Sequence, residues 1–266
     1  MHDWIVVLIL GIVEGITEFL PVSSTGHLLI AEKFLHSHQS DLFNIVIQCG
    51  AVIAVLPLFP NRLYKFFFEL DRKETRDYLT KVLVAFAITG ALGLVIDHFK
   101  FKLPEQLSPV AWALLIGGIA FLAVETYLRG KKLGDDITWA VVLAVGFGQI
   151  IAAIFPGTSR SGTTILFSLM LGLSRPAATE FSFLVGIPTM MAAGGLKIFK
   201  ELHHHDPTAP PENWGRLALA TIIAAIVSFI AVKWLLRYVQ THTFIAFGWY
   251  RIALGIFIFA LLLLQK

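Results

Sequence analysis

Between Glu14 and Leu28 the chain reads EGITEFLPVSSTGHL, which sets two carboxylates, four hydroxyls and a histidine within fifteen residues. Glu14 and Glu18 are spaced i, i+4, so on a helix both project from one face, roughly 5–6 Å apart at Cβ. Two close carboxylates in a dry site either share a proton or bind a divalent cation through oxygen ligands. A helix face satisfied by neighbouring hydroxyls is the plainer alternative. The PVSSTGH turn that follows leads into a second helix, where Ser23 or Ser24 can cap it and the first backbone N–H groups point into the break. Thr25 and His27 complete the cluster, and His27 is either a hydrogen-bonded core residue or, beside these acids and hydroxyls, an acid–base group.

A second stretch, FPGTSRSG at 155–162, supplies what the first lacks. Gly157 permits close backbone approach, Thr158, Ser159 and Ser161 offer hydroxyls, and Arg160 offers a planar fork suited to phosphate oxygens. Capping alone explains individual hydroxyls in this turn. A guanidinium between two apolar segments requires an anion.

The elements around these motifs are unusually apolar. Of the 266 residues 56% are hydrophobic, against roughly 45–50% in soluble domains, and the mean hydropathy is +0.76. An integral membrane protein is expected. The net charge of +3 and the pI near 9.0 do not indicate nucleic acid, because the cations gather in short loops between apolar spans. The lone Cys49 lies in an apolar span, which excludes an intramolecular disulfide. No removable signal peptide is expected at the N-terminus.

A crossing helix needs about 20 apolar residues. Segments 42–59, 79–96, 109–128, 176–198, 217–236 and 244–264 meet this requirement. Residues 4–35 and 137–173 instead read as two short helices around a proline-marked polar turn, the pattern of a re-entrant hairpin. The expected architecture is therefore all-α: six transmembrane helices and two re-entrant helical hairpins in a single membrane domain, 1–266.

Overlaying Pro21 on Pro156 places Glu14 on Gln149, Ser23 on Thr158 and Ser24 on Ser159. One hairpin plus three crossings per unit turns the second unit (about 131–266) upside down relative to the first (about 1–130), an inverted repeat whose interface holds the site. Placing the linker with Arg62, Lys65, Arg72, Lys73 and Arg76 in the cytoplasm leaves fewer cations outside, among them Lys100, Lys102 and Lys266. Glu180 and Arg251, both within spans, suggest an ion pair. Gly11 and Gly15 suggest close helix packing, and His203, His204, His205 and Asp206 a solvated external loop.

EGITEFLPVSSTGHL together with PGTSRSG resembles the undecaprenyl-diphosphate phosphatase family associated with bacitracin resistance, and the six-span layout matches along nearly the whole chain. The resemblance implies hydrolysis of the polyprenyl diphosphate lipid carrier to its monophosphate and inorganic phosphate, in the bacterial inner membrane, with a site on the periplasmic or external side. It implies functional roles for Glu14, Glu18, Ser23, Ser24, Thr25, His27, Ser159 and Arg160, and dependence on a divalent cation such as magnesium or calcium, with Glu14 and Glu18 as metal ligands. Ser24 is the expected nucleophile, activated by Glu18 or His27. A histidine nucleophile and a metal-bound water remain alternatives. A transporter or flippase is the rival reading, since inverted repeats with broken helices are transporter architecture. Oligomeric state stays open, a homodimer included.

Overall fold

The computed structural model describes residues 3–99, 106–203 and 212–264. Within them the chain forms α1 (Asp3–Thr17), α2 (Ser24–Leu35), α3 (Asp41–Val55), α4 (Pro60–Phe68), α5 (Lys73–His98), α6 (Leu107–Tyr127), α7 (Trp139–Ile154), α8 (Arg160–Met170), α9 (Arg175–His203), α10 (Trp214–Tyr238) and α11 (Ile245–Leu264). Helix starts are set locally. Ser40 accepts from the Phe43 N–H at 2.9 Å, Thr138 from Val141 at 3.3 Å and Asn213 from Arg216 at 3.1 Å, each relieving a donor that the first helical turn leaves without a partner.

Six segments are long and apolar enough to cross a membrane: Asp41–Leu58, Lys73–Ile96, Leu107–Tyr127, Arg175–Lys200, Trp214–Tyr238 and Ile245–Leu264. They match the six expected from hydropathy, with ends shifted by a few residues. The basic linker after the first crossing differs from expectation, because it folds into α4. His203 belongs to the last turn of α9, where its ring stacks on Phe199; His204, His205, Asp206, Lys100, Lys102 and Lys266 lie outside the described residues.

Helices α1 and α2, and likewise α7 and α8, pack against each other as two helical hairpins. In the second, Gly134, just before α7, exchanges backbone hydrogen bonds with Gly172 and Ser174, just after α8. In the first, Asp3 pairs with Arg216 at 2.7 Å while Ser40 bonds Glu212 at 2.7 Å, so both ends sit beside the start of α10.

Helix pairing follows a pattern of exchange. α1 packs on α10 as α7 packs on α5; α10 packs on α3 as α5 packs on α9; α3 meets α9, and α6 meets α11. Small residues make the closest approaches. A Cβ on Gly11 would lie 2.7 Å from the Ala220 carbonyl oxygen, and one on Gly15 the same distance from that of Ala224. The α6–α11 contact is similarly tight, since a Cβ on Gly118 would lie 2.7 Å from the Gly248 carbonyl oxygen. In an apolar solvent such packing, rather than hydrophobic burial, holds helices together.

The contrast between glycines is testable by thermal melting in detergent. Gly11→Ala should lower the melting temperature by forcing α1 from α10. Gly90→Ala, where no atom lies within 4 Å of the added carbon, should be neutral or raise stability by up to about 1 kcal/mol through helix propensity.

Candidate active site

The two hairpin turns have nearly the same construction. Ser23 (φ 75°) precedes α2 and accepts from the Gly26 N–H at 3.3 Å; Ser159 (φ 68°) precedes α8 and accepts from the Gly162 N–H at 3.1 Å. Positive φ in a non-glycine residue is uncommon and costs on the order of 1–3 kcal/mol. Both turns therefore hold a strained serine cap, and the structural equivalents are Ser23 and Ser159. The sequence overlay, which set Ser23 on Thr158, is offset by one residue because Gly157 (φ 91°) extends the second turn. A side chain on Gly157 would also collide with the Val110 backbone, 2.7 Å from its Cα.

One buried cation joins the turns. Arg251 of α11 is 0% exposed; its Nη1 donates to the Pro21 carbonyl at 3.2 Å, and its Nη2 to those of Ala113, Gly157 and Thr158 at 3.2, 3.3 and 3.0 Å. The expected Glu180–Arg251 ion pair does not form. Glu180 instead accepts from Arg62 Nε at 2.6 Å and from the Tyr78 hydroxyl at 3.3 Å, while Arg251 satisfies carbonyls that the turns leave without helical partners. Ser161 adds a second tie, donating to the Leu20 carbonyl at 3.2 Å.

At this junction Glu18 is the hub. Its Oε2 accepts from Ser24 Oγ at 2.7 Å and from Gln48 Nε2 at 3.0 Å, and its Oε1 faces Arg160 Nη2 at 3.1 Å. The anion that Arg160 required is thus Glu18 of the other hairpin. Arg160 keeps Nη1 buried and without a hydrogen-bond partner, and its guanidinium rests so closely on Gly186 that any side chain there would overlap it.

Glu14, one turn earlier on α1, is 1% exposed, and neither carboxylate oxygen has a partner. Its charged neighbours are Glu18 and Arg160. Two carboxylates facing one guanidinium leave a negative excess in a dry region, which calls for a proton or a cation. Ser228 Oγ of α10, at the α1–α10 contact, is likewise buried without a partner.

His27 takes another direction. Its Nδ1 meets the Ser23 carbonyl at 2.7 Å and its Nε2 the Tyr250 hydroxyl at 2.6 Å, with the two rings parallel at 5.7 Å. A carbonyl only accepts, so Nδ1 carries the proton and Nε2 accepts from Tyr250. Neither ring nitrogen reaches Ser24 or Arg160, so the structure brings Glu18, Ser24 and Arg160 together and leaves His27 one step apart.

The remaining predicted binders divide by exposure. Thr25 is exposed, whereas Ser23 and Ser161 are buried and Ser159 is engaged as a cap; Thr158 Oγ1 donates to the Phe155 carbonyl at 2.6 Å. Sequence reasoning missed Gln48, Tyr250 and Gly186. Gln48 alone carried a signal, an amide inside an apolar span.

Replacing Arg251 by lysine keeps the charge but loses the fork. At least one buried carbonyl then lacks a donor, at about 1–3 kcal/mol each, so Arg251→Lys should melt well below the parent protein in detergent and lose activity with it. An unchanged melting temperature would show that the guanidinium does not hold the turns.

Comparison with known proteins places these features in a family. Residues 7–257 match the family described as bacitracin resistance protein BacA. The chain is 51% identical over 255 residues to an undecaprenyl-diphosphatase of Rhizobium etli (strain CIAT 652), covering 96% of this chain and 95% of the relative. It is 48% identical over 262 residues to that of Xylella fastidiosa (strain 9a5c), at 96% and 97% coverage, and 49% identical over 259 residues to that of Xanthomonas oryzae pv. oryzae (strain PXO99A), at 96% of each. With the family matched over residues 7–257 and about half of the aligned residues shared with these relatives, this chain belongs to the bacitracin resistance protein BacA family.

Proposed function

We propose that this protein hydrolyses undecaprenyl diphosphate to undecaprenyl phosphate and inorganic phosphate, renewing the lipid carrier for envelope synthesis. Relatives of about half-identical sequence bear the name of that activity. The observation that carries the chemistry is Glu18, which holds the Ser24 hydroxyl and the Arg160 guanidinium on its two oxygens.

Ser24 Oγ lies 2.7 Å from Glu18 Oε2, within the reach of general-base catalysis. In the forward step Oγ attacks the terminal phosphorus, its proton passes to Glu18, the anhydride P–O bond breaks, and undecaprenyl phosphate leaves. Glu18 passes that proton to the departing undecaprenyl phosphate; water then attacks the phosphoserine, its proton goes to Glu18 and on to Ser24 Oγ as the Oγ–P bond breaks, and inorganic phosphate departs. Arg160, with Nη1 uncommitted, steadies the equatorial oxygens of the transferring group. Tyr250 fixes the His27 ring through Nε2.

The residues present suit a divalent cation. Glu14 offers two partnerless hard oxygens, and among the described residues no cluster of three His, Cys, Asp or Glu side chains exists. These hard oxygen donors suit magnesium or calcium, which Glu14 and Glu18 would hold. When bound, such an ion neutralises charge on the diphosphate.

The same reading takes each hairpin as re-entrant in an inner-membrane protein, entering from opposite faces, with the site open to the external side. The exchanged helix pairings, the paired serine caps and hairpin ends that meet on one side support an inverted repeat. A groove of about 450 Å³ walled by Trp112, Ile116, Phe121, Ile151, Leu166 and Phe167 runs to Thr158 and Arg251, apolar enough for part of the isoprenoid chain.

Phosphate release from a long-chain prenyl diphosphate, measured with purified protein in detergent, tests the assignment. Ser24→Ala and Glu18→Gln should each lower kcat by about 10²-fold or more, a chelator should suppress the parent activity, and acid quenching should trap phosphoserine. Near-normal turnover by Ser24→Ala would remove the serine mechanism, and a phosphohistidine would transfer the role to His27.

A further inference from the structure

Helix α4 directly follows the membrane-length helix α3, separated from it by the short turn Leu56–Leu58. Nine residues rise only about 14 Å, less than half a bilayer core. Its two faces differ sharply. Tyr64, Phe67 and Phe68, spaced i, i+3, i+4, share one side and are 58%, 75% and 73% exposed, with Tyr64 and Phe68 in ring contact at 5.1 Å. Leu70, just beyond the helix, is 45% exposed.

The opposite side sets this orientation. Arg62 pairs with Glu180 of α9 and stacks over the Tyr78 ring of α5 at 4.2 Å, and Phe66 packs beside the same ring at 6.1 Å. With α4 pinned through Arg62 and Phe66, the aromatic face cannot turn inward. Burying a phenylalanine side chain is worth about 1.5–3 kcal/mol, so three aromatics left in water are a liability unless something covers them.

Charge around the patch points to the cover. Lys65, Lys73 and Arg76 are exposed and have no ion-pair partner among the described residues, against two exposed acids in the same state, Asp71 and Glu74; Glu69 and Asp77 are committed to Arg72 and Lys81. An exposed aromatic face at the end of a crossing helix, in a stretch where exposed unpaired cations outnumber exposed unpaired acids, is the pattern of a segment lying in the plane of an anionic membrane surface. We propose that α4 is an in-plane interfacial helix: Tyr64, Phe67 and Phe68 seat at the boundary between headgroups and acyl chains, and Lys65, Lys73 and Arg76 contact lipid phosphates. The occupant is the leaflet itself.

The single Cys49 makes site-directed labelling direct. In a Cys49→Ala background that retains phosphate release, nitroxides are attached at Tyr64→Cys, Phe67→Cys or, as a solvated reference, Asp71→Cys, and the protein is placed in bilayers of phosphatidylglycerol and phosphatidylcholine. Labels at 64 and 67 should favour oxygen over a water-soluble nickel chelate and report a depth of roughly 5–10 Å, while the label at 71 should favour the chelate. Native mass spectrometry should show phosphatidylglycerol retained over phosphatidylcholine, with the preference reduced several-fold in a Lys65→Gln/Lys73→Gln/Arg76→Gln variant. Chelate access at 64 and 67 equal to that at 71 would overturn the proposal. So would strong spin–spin coupling between labels at 67, which would show a second copy of the chain covering the face, or an unchanged lipid preference in the triple variant.

Discussion

A guanidinium sealed from water, bonded to four backbone carbonyls and to no carboxylate, is the interaction on which the rest of the site depends. Two chain breaks inside an apolar protein expose carbonyls that cannot be left without donors. Arg251 satisfies carbonyls of both turns at once, from Pro21 on one side to Gly157 and Thr158 on the other. Its planar array of N–H donors can serve several acceptors in different directions, which an ammonium at the end of a flexible stem does less well. The turns are thereby fixed with respect to each other before any catalytic side chain is considered.

Charge placement follows from that docking. With the turns in register, Glu18 from one hairpin meets Arg160 from the other, and Ser24 comes within hydrogen-bond reach of the same carboxylate. Gly186 leaves room for the guanidinium, and the strained caps at Ser23 and Ser159 start the return helices where their side chains meet. Strain, a buried excess of negative charge and partnerless polar atoms on Glu14 and Arg160 concentrate in one place. The surroundings that tolerate this are the glycine-spaced helix contacts of α1 with α10 and α6 with α11.

Much of this was legible in the sequence, for identifiable reasons. Apolar runs of membrane length announce themselves without tertiary context, so the six candidate spans were found within a few residues. The motif residues stood out because acids, hydroxyls and an arginine are conspicuous amid apolar neighbours. Partner choice was not legible, since it depends on helix rotation and tilt: Arg251 was assigned to Glu180 although the two belong to separate networks, and His27 was grouped with Ser24 although its ring turns to Tyr250. The one-residue offset between turns was hidden because Gly157 leaves no trace until its φ is known. Helix α4 was concealed by its charge, which reads as a linker unless the aromatic spacing is examined.

The central claim is that two hairpins contribute to one catalytic unit through Glu18 and Arg160. A double-mutant cycle on kcat/KM for phosphate release, using Glu18→Gln, Arg160→Gln and the pair, tests it most directly. The account predicts strong non-additivity, with the double variant scarcely worse than the poorer single variant, as for residues that act as a unit. Fully multiplicative losses would show two independent groups and contradict the account.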